Sequence, residues 1–223
     1  MSHEKNIVKK PWGYEYLMYE NEKVAIWVLY IKEGHRTSMH CHPNKTTGLA
    51  SLGGKVEVSF LKDSFKLSPT NKIMIRKGLF HSTKSIDKKG SFLLEIETPV
   101  DKDDLVRFKD MYGRQGKPYE DSSFEVPKKE ECVWIREPTA DESDSYLIGE
   151  TNLLVFGVKN LSFFKGIKEE KNIIFLNGGI MTDYGINVVS PGDIVSSTVL
   201  LELVNVFDKL VDGTVVMVME ENV

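Results

Sequence analysis

Cysteine is scarce in this 223-residue sequence: Cys41 and Cys132 are the only two. One bridge between them stays open, but a disulfide-stapled framework is excluded. Long apolar runs are missing as well. No stretch approaches the roughly 20 apolar residues of a membrane span, and the opening "MSHEKNIVKKPWGYEY" has no apolar core of signal-peptide length. The expectation is a soluble, cytoplasmic protein with no membrane partner. Charge of one sign is not in excess either. The 29 basic and 33 acidic residues leave a net charge of −4, so nothing electrostatic points to nucleic acid. Histidine is rare and unevenly placed. Apart from His3, all the histidines lie between positions 35 and 81, so any histidine chemistry belongs to the first half.

Apolar residues make up 41% of the chain, enough for the core of one large domain or two small ones. The dominant pattern is strand. "KVAIWVLYI" (23–31) is rich in β-branched and aromatic residues. "KVEVSFL" (55–61) alternates Val56, Val58 and Phe60 on one side after a Gly-Gly turn. "NKIMIRKG" (71–78) and "SFLLEIETPV" (91–100) add two more. Short strands punctuated by Gly and Pro predict an antiparallel sandwich or barrel. One helix is predicted over 101–116, where Leu105, Phe108 and Met111 or Tyr112 recur at helical spacing between capping aspartates and Gly113. Residues 117–145, rich in Pro, Ser and charge, read as a linker with one strand around Val133–Ile135.

Strand patterns return in 146–223, and two landmarks repeat. Leu52-Gly53-Gly54 matches Asn177-Gly178-Gly179, and a turn proline follows at Pro69 and at Pro191. This predicts a second copy of one β-module. Aligned on the glycines, positions 40 and 42 fall on Lys165 and Ile167. Aligned on the prolines, position 81 falls on Leu203. The second copy is therefore expected to lack metal ligands.

His40 and His42 stand at i and i+2, so on a strand they project from one face about 7 Å apart. His81 follows a glycine turn in a later segment and can supply a third donor. With these residues the chain resembles the cupin superfamily. "GHRTSMHCHPNKTTGLASLGG" is similar to the first cupin motif, and "IRKGLFHS" to the second, with Arg76 in place of its usual proline. "KPWGYEY" (10–16) and "DDLVRFKDMYGR" (103–114) resemble segments that bracket the cupin domain of type II mannose-6-phosphate isomerases, a likeness covering roughly 9–116. It implies an all-β fold: a cupin double-stranded β-helix (jelly-roll) barrel over 1–116, then the linker, then a degenerate cupin-like module without ligands over 146–223, a bicupin. It also implies a divalent ion (Zn, Mn, Fe or Ni) on His40, His42 and His81. The family pattern puts a glutamate ligand where this chain has Thr47, whose hydroxyl does not ionise near neutral pH. The expected site is one anionic ligand short.

The activity implied is metal-dependent isomerisation of a sugar phosphate, with a homodimer as the expected assembly. Glu97 is the candidate base and Arg107 the candidate phosphate contact; Arg107 also reads as a solvated or salt-bridged helix residue. Glu95 shares a face with Glu97. Either could be the base or the missing anionic ligand, or both could belong to a half-exposed polar face. Lys66, Arg76, Lys77 and Lys84 read as a cationic rim or as solvated loop lysines. Cys41 should face away from the histidines as small buried filler, His35 reads as a surface loop residue or a site residue, and Trp12 and Tyr14 read as packing. Two alternatives stand beside the isomerase: a metal-free nucleotide-sugar ketoisomerase or epimerase using paired histidines, and a non-catalytic sugar-binding cupin.

Overall fold

A computed structural model describes residues 7–114, 127–167 and 170–222. The chain folds as two compact units, residues 1–135 with 148–150, and residues 136–147 with 151–223. Among the described residues no helix is long and apolar enough to cross a membrane, and Cys41 and Cys132 are both free thiols.

The first unit is built from β1 (Ile7–Lys10), β2 (Gly13–Glu20), β3 (Ala25–Ile31), β4 (Met39–Cys41), β5 (Thr46–Gly53), β6 (Val56–Ser59), β7 (Ser64–Leu67), β8 (Lys72–Ile75), β9 (Ser82–Ser85), β10 (Ser91–Thr98) and β11 (Val106–Lys109). The main sheet runs β1-β2-β3-β10-β5-β8, a second runs β7-β6-β9, and β11 pairs with β4. Every pairing is antiparallel, the expected consequence of short strands joined by tight turns. β3 reads as continuously apolar because it lies inside the main sheet, with nearly every residue buried. Trp27, Leu29, Leu49 and Leu93 alternate onto the inner face and form the core with Val56 and Val58 of the second sheet.

Two local expectations are corrected. The helix over 101–116 is absent. The chain turns at Lys102–Asp103 and then runs as β11. Asp104 does not cap a helix. Its carboxylate accepts from the backbone N–H of Asn44 and of Lys45, both at 2.9 Å, and from Asn44 Nδ2 at 3.0 Å. That clamp docks the segment on the turn after β4, where sheet pairing satisfies its backbone. Residues 115–116 lie outside the described residues. Val133–Ile135 is not a strand either: after a 3₁₀ turn at Lys129–Glu131, Val133 N–H donates to the Tyr16 hydroxyl (3.2 Å) and Ile135 N–H to Met18 O (3.1 Å).

The second unit contains β12 (Ser143–Ile148), which opens inside the segment read as linker, then β13 (Thr151–Gly157), α1 (Ser162–Lys165), β14 (Asn172–Asn177), β15 (Ile180–Met181), β16 (Asn187–Val189), β17 (Ile194–Ser196), α2 (Ser197–Val206), β18 (Lys209–Leu210) and β19 (Val215–Glu221). Its sheets run β12-β13-β19-β14-β17 and β16-β15-β18. Matched in chain order, these are β2-β3-β10-β5-β8 and β7-β6-β9 of the first unit. Even the irregularities repeat. In β5 a bulge at Leu52 sets Ser51 and Gly53 opposite the adjacent Leu93 and Phe92; in β14 a bulge at Leu176 sets Phe175 and Asn177 opposite the adjacent Val216 and Val215. The repeat holds, and its register moves by one residue: Gly54 corresponds to Gly178, both left-handed with φ of 67° and 69°. α1 stands where the first unit has β4, and α2 where it has the segment that carries His81. Lys165 and Leu203 accordingly lie on helices, and Ile167 follows the C-cap Gly166 of α1.

Candidate metal centre

The three histidines come together through backbone pairing. His40 and His81 face each other across an antiparallel bridge, with His40 N–H donating to His81 O (3.0 Å) and His81 N–H to His40 O (2.8 Å). Directly opposed residues project to the same side. His42 follows two residues on, with its side chain on that side too. The ring centroids lie 4.5 Å (His40–His81), 5.1 Å (His40–His42) and 5.6 Å (His42–His81) apart.

Each ring is oriented from behind. Nδ1 of His40 meets Ser38 O at 2.7 Å, Nδ1 of His42 meets Asp104 O at 2.6 Å, and Nδ1 of His81 meets Leu79 O at 3.0 Å. A carbonyl only accepts, so each Nδ1 carries the hydrogen and each neutral ring presents its Nε2 lone pair. Nε2 of His42 and of His81 is buried without a hydrogen-bond partner among the described residues. Orphaned buried acceptors need a partner.

The carboxylate comes from Glu95 on β10. It is opposite Leu49 on β5, one alternation along from the Thr47–Glu97 pair. Its Oε1 lies 3.8 Å from His42 Nε2, too far for a direct hydrogen bond. His40, His42, His81 and Glu95 offer one ligand atom each, all within 4.8 Å of one another and all buried. Donors about 2.0–2.2 Å from a shared ion stand roughly 3–4 Å apart, so a small inward movement would close the set. The residues fit a divalent ion, and the site is not short of a carboxylate: the neighbouring strand supplies it. Thr47 is buried beside it, with its hydroxyl unpartnered.

The electrostatics suit the same role. Burial, reinforced by the other two rings, holds His40 well below its ordinary value, and burial lowers His81. Both are neutral donors at neutral pH. For His42 burial opposes the charge, but the neighbouring Glu95 carboxylate prevails and raises it. Glu95 shows the reciprocal shift. Burial pushes it up, yet His42 and, less strongly, Lys102 hold it below the usual carboxylate range.

Around this group lies a cavity of about 60 Å³, with room for a few water-sized groups beside the side chains. Glu97 lines it, bound by Lys45 Nζ at 2.8 Å. Arg107 lines it too, brought in because β11 pairs Arg107 with His40. Three further cations were not singled out in the sequence: Lys10 and Lys102, which share Glu15 at 3.7 and 3.1 Å, and Arg114, held by Asp110 at 2.7 Å. Lys102 Nζ also sits 3.5 Å from the centre of the Trp27 ring. The flanking segment "KPWGYEY" carries Lys10 and Glu15, and "DDLVRFKDMYGR" carries Arg107, Asp110 and Arg114. Lys66, Arg76, Lys77 and Lys84 do not line the cavity. His35 stacks on Tyr112 outside it, and Cys41 is buried away from it.

The strand order, the bridge-paired histidines and the two motifs define the first unit as a cupin. Residues 1–110 match the family described as mannose-6-phosphate isomerase C-terminal. The N-terminal half is thus a mannose-6-phosphate isomerase-like cupin. Among curated proteins, no sequence matches this chain. Solved structures that resemble it include KdgF from Halomonas sp. (15% identity, TM-score 0.40, 42% of this chain and 86% of that one). A putative sugar phosphate isomerase from Acidithiobacillus ferrooxidans also resembles it (20% identity, TM-score 0.33, 35% of this chain and 52% of that one). Likenesses this distant carry no information about activity.

Proposed function

We infer that the first module is a divalent-metal-dependent isomerase of phosphorylated sugars. The observation that carries the reading is the convergence of three imidazoles, each fixed from behind by a backbone carbonyl, on one buried carboxylate. His40, His42, His81 and Glu95 hold the ion. When bound, it polarises the substrate's C1 and C2 oxygens. Glu97, positioned by Lys45, takes the proton from one of these carbons and returns it to the other, while the hydroxyl proton passes between the C1 and C2 oxygens, and the two transfers together interconvert aldose and ketose. The cavity admits the reacting end of the sugar. Cations outnumber carboxylates five to three along its lining, which favours an anionic substrate, with Arg107 as the phosphate contact.

Purified protein, stripped and reloaded with Zn²⁺ or Mn²⁺, is to be assayed on mannose 6-phosphate and other hexose phosphates. The expected result is turnover with the ion and its loss in chelator. A second reading, a metal-free nucleotide-sugar ketoisomerase or epimerase, draws on the His42–Glu95 pair as a ready acid–base couple. It predicts turnover that chelators leave intact. Metal and sugar binding without turnover on any substrate would instead indicate a sugar-binding cupin.

A further inference from the structure

The repeat places a second concavity in the C-terminal module. Val216 of β19 corresponds to Leu93 of β10, so Val218 stands at the position of Glu95 and Glu220 at that of Glu97. Through β13, Leu154 corresponds to Trp27 and Phe156 to Leu29; through β14, Lys171 corresponds to Thr47. Leu29, Glu95 and Glu97 line the histidine cavity. Phe156, Val218 and Glu220, with Leu154 and Lys171, line a cavity of about 460 Å³ in the second module. The concavity is retained and its chemistry inverted. A valine replaces the ligand carboxylate, and α1 with the residues after it replaces the histidine strand, contributing Phe163 and Ile167.

Four large apolar side chains, Leu154, Phe156, Phe163 and Ile167, are only half-buried there. Apolar surface gathered around an open cavity gains free energy when covered. The volume falls in the ordinary range of small-molecule sites, about 300–1,000 Å³. The polar groups at the cavity narrow the ligand further. Lys171 and Glu220, one of each sign, are the charged side chains of the lining and bond to each other. A ligand with a net charge would have to break that pair, whereas an uncharged or zwitterionic head can bond to both.

We propose that the second module is a binding site for an apolar small molecule with an uncharged or zwitterionic head group, seated where the first module has its metal centre. The histidine-free half of the chain then has a binding role of its own, independent of the activity inferred for the first.

The test is titration of the full-length protein with N-phenyl-1-naphthylamine, an uncharged apolar dye. The expected result is a saturable, blue-shifted emission at one site per chain, unchanged by chelator and by Glu95→Gln. Leu154→Trp, which fills the cavity, and Ile167→Glu, which charges its half-exposed wall, should each weaken binding at least tenfold while circular dichroism stays parental. Having both keeps the test decisive should one fail to fold. The sulfonated dye 1-anilinonaphthalene-8-sulfonate should bind at least tenfold more weakly; equal or tighter binding would overturn the head-group assignment. Absence of saturable emission, or dye binding that survives in a folded variant, would overturn the site. Emission that emerges only when a dimer is diluted to monomer would overturn it in favour of a second copy of this chain as the occupant.

Discussion

Glu95 Oε1 lies 3.8 Å from His42 Nε2, with a buried carboxylate on one strand meeting a buried imidazole on another. The pair is separated by more than a hydrogen bond and by about the distance between two ligands of one ion. It replaces a carboxylate that the cupin pattern would place on β5. Glu95→Gln keeps the size of the side chain and removes the anion. The expected outcome is at least tenfold weaker Zn²⁺ or Mn²⁺ binding, about 1.4 kcal/mol, read by calorimetric titration of chelator-treated protein. His42→Ala should lose more, and elemental analysis of the protein as purified will compare the two.

Thr47→Glu restores the family's carboxylate at its usual place. With Glu95 already present, the addition is harmful. Position 47 is buried, and Thr47 pairs directly with Glu97 across β5 and β10. A carboxylate there joins Glu97 and Glu95 in one low-dielectric space, with Lys45 already committed to Glu97. The metal-free variant should be less stable by about 2–4 kcal/mol, seen in urea unfolding. Added metal should restore part of the loss. The double variant Thr47→Glu/Glu95→Gln should bind metal more tightly than Glu95→Gln alone.

The histidines were legible in the sequence because two of them stand at strand spacing and the third follows a glycine turn, all local signals. Glu95 was visible only as one of two equivalent carboxylates. Choosing it over Glu97 requires cross-strand register, which puts Glu95 opposite Leu49 near the rings and Glu97 opposite Thr47 near Lys45. The predicted helix over 101–116 failed for a related reason. Leu105, Phe108 and Tyr112 do recur at helical spacing, but Asp104 bonds to Asn44 and Lys45, some 60 residues away. Pairing with β4 outweighs weak local preference. The internal repeat was readable from its glycines and prolines. Its register was not, because two adjacent glycines align equally well with either neighbour until the bulges are seen.

Gly54 and Gly178 test the repeat as a physical equivalence. Both have left-handed backbones. A Cβ on Gly54 would collide with the Gly90 carbonyl, and one on Gly178 with Thr214. Alanine at either site combines backbone strain with overpacking, for an expected cost of about 2–4 kcal/mol. In scanning calorimetry with Zn²⁺ present, Gly54→Ala should lower the transition that metal raises. Gly178→Ala should lower a transition that metal leaves unchanged.

Lys10 gives the pH dependence. Its side chain is almost fully buried in the first module's cavity. Burial is the largest influence on its ammonium. Glu15 opposes that influence, and the charges of Lys102, Arg114 and Arg107 add to it. The result is a pKa brought down to about 8 from 10.5. Below about pH 8 the lysine is charged in the folded and the unfolded chain alike, and its burial costs stability at a constant level. Between about 8 and 10.5 the folded protein has released a proton that the unfolded chain still holds, so this residue makes stability rise with pH. Lys10→Met should flatten that rise and stabilise the protein at pH 7 by about 1–3 kcal/mol, as chemical denaturation at a series of pH values will show. The same variant should bind inorganic phosphate more weakly, because it removes one of the cations gathered at the cavity. A variant that is more stable yet binds the anion less well marks Lys10 as retained for the ligand rather than for the fold. Unchanged phosphate binding alongside the gain in stability would assign the anion to Lys102 and Arg107 instead.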